Sequence, residues 1–233
     1  MWNVSIVTVT LNNAEGLEKT LNSVACLNYQ PFELIIIDGC SMDNTLEVVE
    51  KYRKYLTIVF KSERDEGIYD AMNKGRSLAK GDYIHYLNAG DYVIGEPYLH
   101  YKDVMGVFVN KNKFLHLAGA HTFHLGYCHQ GLLFKKGHPS YDCKYKIAAD
   151  FKLILDCFPD GFKNVVTEDK NSGVVYDVSG VSSRRWIKRD IEIMQILICE
   201  GRVYYFFLFF LKFIFKSPIK LFSDFFSYSQ KKL

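Results

Sequence analysis

Gly81-Asp-Tyr-Ile-His-Tyr-Leu-Asn-Ala-Gly-Asp91 is an apolar run that ends on one carboxylate. Tyr83 to Leu87 has the aromatic and β-branched character of a strand. The small Ala89-Gly90 pair behind it lets the backbone approach a ligand closely, so the strand delivers Asp91 where there is room beside it. Just upstream, Ser62-Glu-Arg-Asp-Glu-Gly-Ile-Tyr-Asp-Ala-Met-Asn-Lys-Gly75 is an acidic loop running into a helix. That helix is expected from Ile68 to Ala79, with Ile68, Ala71, Met72 and Ala79 on one side and Asp70, Asn73 and Lys74 away from it.

Working outward, Ser5 to Thr10 and Phe32 to Ile37 read as strands, the second apolar enough to be covered on both faces. Leu56 to Phe60 is a third. Helices are expected from Gly16 to Ala25 and from Asp43 or Asn44, as caps, to Tyr52. Strand and helix alternate three times with short connections. The expected fold is therefore α/β, a mostly parallel central sheet flanked by helices. Past Asp91 the alternation breaks down. Gly131 to Phe134 and Val174 to Val178 are short strand candidates, and Ala148 to Phe158 reads as a helix. Ser182 or Ser183 can cap a last helix whose Ile187, Ile191, Met194 and Ile198 form one face. The expected organisation is a single domain over 1–200, with halves 1–91 and 92–200, and an amphipathic tail over 201–233.

A chain of 233 residues can bury a sizeable core. Its net charge of +3 hides an asymmetry: residues 1–183 carry 19 Lys/Arg against 22 Asp/Glu, and residues 184–233 carry 10 against 4. A basic, aromatic tail on a slightly acidic body points to an anionic surface as partner. The six cysteines lack paired spacing and read as reduced thiols of a cytosolic protein. The chain enters a strand within a few residues, so no signal peptide is expected.

In open α/β sheets ligands bind beyond the carboxyl ends of the strands. Here those ends carry Thr10 and Asn12, Asp38, Glu63 and Asp65, and Asn88 and Asp91. Asp38 can accept from a base N–H or a ribose hydroxyl, or simply precede the turn at Gly39. Asp65 can cap the Ile68 helix or bind ligand. Asp91 is a candidate for a hard divalent cation, which shares oxygen ligands with substrate phosphates and can manage with one protein carboxylate.

Thr10-Leu-Asn-Asn, Asp38-Gly-Cys-Ser-Met-Asp-Asn-Thr45, Asp65 to Gly75 and Leu87-Asn-Ala-Gly-Asp91 together resemble the inverting family-2 glycosyltransferases with the GT-A fold, of the kind that build bacterial polysaccharides. The resemblance is specific over residues 3–91 and thins afterwards. It implies a nucleotide-binding half of Rossmann-like build and a nucleotide-diphosphate sugar donor bound through Thr10, Asn12, Asp38, Asp65, Lys74 and Asn88. Asp91 then matches the metal-binding aspartate of the family's Asp-x-Asp motif, with Mn2+ or Mg2+ as cofactor, although the earlier aspartate of that motif is missing. Further on, His129 and Gln130 match acceptor-binding positions, and Asp150 matches the general base. On residues alone Asp150 is also a helix N-cap.

His121, His124, Cys128 and His129 lack the paired spacing of a structural zinc site. Arg184-Arg185 can close over a diphosphate or begin a solvated helix. Val203 to Phe215 is too short to cross a bilayer and is interrupted by Lys212; with Lys216 and Lys220 it describes a helix lying in the membrane interface. The expected activity is transfer of one sugar, from a UDP-hexose, to a lipid-linked saccharide in bacterial surface-polysaccharide synthesis. The expected location is peripheral, on the cytoplasmic face of the membrane, with an anionic bilayer but no nucleic acid as partner. An inactive membrane-bound scaffold is the alternative. A sugar-phosphate nucleotidyltransferase fits less well, because the loop after the first strand lacks the glycines such enzymes need.

Overall fold

The computed structural model describes residues 3–28, 30–95, 129–157, 173–175 and 184–215. They fall into two compact units, Met1–Gly180 and Val181–Leu233. Strands β1 (Val4–Thr10), β2 (Glu33–Asp38), β3 (Ile58–Ser62) and β4 (Tyr83–Tyr86) alternate in the first unit with helices α1 (Ala14–Ala25), α2 (Thr45–Tyr52) and α3 (Ile68–Leu78). After β5 (Tyr92–Ile94) come a 3-10 turn at His129–Gly131, β6 (Leu133–Lys135), α4 (Ala149–Cys157) and β7 (Gly173–Val175). The main sheet runs β3-β2-β1-β4-β6; its first four strands are parallel and β6 is antiparallel to β4. A second, antiparallel pair joins β5 to β7.

Strands β1, β2 and β4 are buried at every position because the sheet is covered on both faces. Side chains alternate between faces. Val4, Ile6, Leu34 and Ile36 pack in one cluster with Leu17, Leu21 and Val24 of α1 and Val49 of α2. On the other face Val7 and Ile37 meet α3 at Gly75, where a Cβ would lie 2.4 Å from Val7 Cγ1. The helix can come this close only without a side chain there. Of the face expected on α3, Ala71, Met72 and Ala79 are buried, joined by Tyr69 and Gly75, whereas Ile68 is 45% exposed at the first turn.

Asp43 does more than cap α2. One carboxylate oxygen accepts from Thr45 and the other from the Ala14 N–H at 2.8 Å, so it serves the starts of two helices. Those hydrogen bonds, that of the Thr45 hydroxyl first, hold its carboxyl below the usual range.

In the second unit α5 (Trp186–Cys199) ends at Gly201, whose φ of 65° suits glycine. The Gly201 N–H donates to the Ile198 carbonyl and the Arg202 N–H to that of Leu197, closing a Schellman turn. A helix follows over 203–215, and the Trp186 and Phe213 rings come within 6.3 Å of each other. The apolar face expected on α5 is not the buried one: Trp186, Ile193, Ile196 and Leu197 are buried, and Ile187, Ile191 and Ile198 are exposed. The helix has two apolar sides, so periodicity alone was ambiguous. Among the described residues no helix is long and apolar enough to cross a membrane. His121, His124, Cys128, Tyr176 to Val178, Ser182, Ser183, Lys216 and Lys220 lie outside the described residues.

Candidate active site

Thr10, Asp38 and Ser62 stand in register across the carboxyl ends of β1, β2 and β3. Asp38 is buried and its carboxylate accepts from the Ser41 and Ser62 hydroxyls, the latter at 2.6 Å, and from the Ser41 N–H. These hydrogen bonds fix the orientation of the carboxylate. The Thr10 hydroxyl is buried without a hydrogen-bond partner among the described residues, an opening for a polar ligand atom. Asp65 does not cap α3 itself; the N-cap is Gly67, and Asp65 accepts from its N–H at 2.9 Å. The other Asp65 oxygen approaches Gly39 so closely that a Cβ there would lie 2.9 Å from it. The glycine thus brings the β2 and β3 loops together.

Asn12 and Lys74 hold structure at this rim. Asn12, at φ 48°, receives the Met42 N–H on its side-chain oxygen and gives its own N–H to Ser41, joining the loops after β1 and β2. Lys74 donates to the Arg64 carbonyl and lies 3.1 Å from Asp70 and 3.4 Å from Glu63. Its hydrogen bond to Asp70 raises its pKa. The lysine therefore shapes the acidic loop.

Farther along the rim, the chain turns from Asn88 to Asp91 through Gly90, whose φ of 105° only glycine adopts readily. A residue that sequence reading missed sets this turn. Thr20 of α1 donates its hydroxyl to the Asp91 carbonyl at 2.6 Å and accepts from the Gly90 N–H at 3.0 Å. Asp91 is 5% exposed, and its carboxylate receives the Gln130 side-chain amide at 3.2 Å. Gln130, expected at the acceptor, is thus turned onto the candidate metal ligand.

The same 3-10 turn carries His129, whose Nδ1 lies 3.4 Å from the Asp150 carboxylate. Both His129 ring nitrogens are buried without a hydrogen-bond partner among the described residues. Asp150 lies inside the first turn of α4, which begins one residue earlier, and accepts from the Phe151 N–H at 2.8 Å. It is therefore not the N-cap. Beneath the turn, buried His85 of β4 donates from Nε2 to the Gln130 carbonyl at 2.7 Å. A histidine within Tyr-Ile-His-Tyr was the signal that sequence analysis passed over. Burial lowers its pKa to about 4, which keeps it neutral as a hydrogen-bond donor.

Asp91 fits a divalent cation in chemistry. Three residues before it, the Asn88 side-chain oxygen is buried without a hydrogen-bond partner among the described residues, so two oxygens of the right type share one turn. No cluster of three or more His, Cys, Asp or Glu suited to a metal occurs among the described residues. A cation here would depend on substrate oxygens.

The model for "Glycosyl transferase family 2" matches residues 5–98. A "PGL/p-HBAD biosynthesis glycosyltransferase" of Mycobacterium bovis is 31% identical, over 66% of this chain and 69% of the relative. Among solved structures, Staphylococcus aureus TarS 1–349 in complex with UDP-GlcNAc covers 84% of this chain at 18% identity, with a TM-score of 0.62. A Pyrobaculum calidifontis mannosyltransferase in complex with GDP-Man and Mn2+ covers 86% at 16% identity, with a TM-score of 0.65. The chain spans 66% and 64% of these two, and 39% of a longer TarS chain.

Proposed function

The chain belongs to glycosyl transferase family 2, and we propose that it moves one sugar from a nucleotide-diphosphate sugar to a lipid-linked saccharide. The donor is a UDP-hexose, the displacement inverts the anomeric carbon, and the product is part of a bacterial surface polysaccharide. One observation carries this reading: a single turn sets Gln130 on Asp91 and His129 beside Asp150. A carboxylate suited to a cation and one suited to a proton therefore share a rim. Solved structures of the same fold, in complex with UDP-GlcNAc or with GDP-Man and Mn2+, support the donor class and the cation.

Thr10, Asp38 and Asp65 would flank the nucleoside, with Ser62 and Ser41 holding Asp38 in place. Asp91, with Asn88, would hold Mn2+ or Mg2+. When bound, that ion would supply positive charge to the diphosphate leaving group. An acceptor hydroxyl attacks the anomeric carbon as the carbon–oxygen bond to the diphosphate breaks, and Asp150 takes the hydroxyl proton. His129, its Nδ1 beside Asp150, would offer Nε2 to orient the acceptor. Gln130 steadies Asp91, and Lys74 contributes through the loop it holds. Residues 203–222 would lie on an anionic bilayer at the cytoplasmic face, close to a lipid-linked acceptor.

The test is a screen of nucleotide sugars with and without Mn2+ for release of nucleoside diphosphate and transfer to lipid-linked saccharides. Metal-dependent release from one donor is expected. A scaffold without turnover would release none from any.

A further inference from the structure

Helix α5 is apolar on two opposite sides, and one of them is left uncovered. Ile187, Ile191 and Ile198 share a helical face and are 41%, 43% and 55% exposed, while Trp186, Ile193, Ile196 and Leu197 take the buried side. An amphipathic surface helix normally presents polar residues there. The helix over 203–215 repeats the feature, with Phe207, Leu211 and Phe215 four apart and all exposed. Charge in this unit is distributed unevenly. Arg184, Arg185, Lys188 and Lys212 are exposed, whereas Asp190 and Glu192 are buried and Asp190 is paired with Arg189. Glu200 is the acidic residue left exposed among the described residues of the unit. The outer surface is therefore apolar with a cationic rim.

We propose that the isoleucine face of α5 is a second membrane-contact element, so that an anionic phospholipid bilayer is met by the helical pair 186–215 and not by the segment after 203 alone. The inference rests on the membrane part of the proposed function and enlarges the surface involved. Apolar side chains flanked by cations suit lipid headgroups above an acyl layer. A second copy of the chain fits less well. A two-fold contact would bring this cationic-rimmed face against its own copy, setting positive rim against positive rim.

The experiment uses the full chain and sedimentation with vesicles of phosphatidylcholine, with or without phosphatidylglycerol. The triple variant Ile187→Ser, Ile191→Ser, Ile198→Ser should raise the lipid concentration for half binding by about tenfold or more, since each serine removes apolar area from the contact. Thermal melting should be unchanged. In a separate variant, Ile191→Trp, an added fluorescence component should shift to the blue on anionic vesicles, an outcome readable even if the triple variant folds poorly. The proposal is overturned if the triple variant binds like wild type and the emission of the Ile191→Trp variant does not move; the 203–222 segment would then act alone. It is also overturned if light scattering shows the triple variant converting a dimer to a monomer with vesicle binding retained. Wild-type protein that ignores both vesicle types would remove the membrane reading itself.

Discussion

Two buried histidines should make this fold sensitive to mild acid. His85 donates to the Gln130 carbonyl, and His138 donates from Nδ1 to the Pro139 carbonyl, which leaves its Nε2 to accept from the Tyr86 hydroxyl. Burial lowers both pKa values from 6.5 to about 4, with His129 beside the first and Arg76 beside the second adding to the effect. An unfolded chain takes up protons on these rings as the pH falls through 6.5, and the folded chain does not until about 4. Stability is therefore fully present above 6.5 and lost progressively between the two values. At pH 5 each ring should cost about 2 kcal/mol, or about 4 kcal/mol together, from roughly 1.4 kcal/mol per pKa unit. That is a large part of an ordinary domain's stability of about 5–15 kcal/mol. Glu63 and Asp70, whose pKa values are lowered by hydrogen bonds from Lys61 and from the Glu66 N–H respectively, act in the same direction at lower pH, losing their contribution only below about 4. Urea unfolding at pH 5, 6 and 7 at fixed ionic strength gives the free energies directly. His85→Gln, whose amide can still reach the Gln130 carbonyl, should remove about half of the pH dependence. Equal wild-type stability at pH 5 and 7, or an unchanged slope in His85→Gln, would refute the argument.

Asp150→Asn should lower turnover by about 10²–10⁴-fold with donor binding retained; loss of thermal stability at normal specific activity would show a structural role instead. Asp91→Ala should abolish metal-dependent turnover and weaken Mn2+ binding measured by calorimetry in the presence of the nucleoside diphosphate; near-normal transfer would remove Asp91 from the cation site. Gly75→Ala should destabilise by about 1–3 kcal/mol, because its Cβ would lie 2.4 Å from Val7 Cγ1 and overpacking outweighs the gain of about 1 kcal/mol in helix propensity. A melting temperature at or above wild type would show that β1 and α3 can part at no cost.

The alternating sheet-and-helix frame was legible because local patterns carry it. Apolar strands such as Leu34 to Ile37 and a glycine-bounded Asp91 turn need few distant contacts to be recognised. The strand ends also revealed Thr10, Asp38 and Asp91, since open parallel sheets gather their loops on one rim. What they touch was not legible, because hydrogen bonds between residues far apart leave no periodic trace. Thr20 reaches Asp91 across 71 positions, His85 reaches Gln130 across 45, and Gln130 reaches Asp91 across 39. The close approach of α3 to β1 was likewise decided by packing, where Gly75 lets the helix lie against Val7. On α5 the sequence supplied two apolar faces, and tertiary burial chose between them: Ile193 and Leu197 went inside, and Ile187, Ile191 and Ile198 remained at the surface. Periodicity states that a face exists; only the three-dimensional arrangement of its neighbours decides which face loses its water.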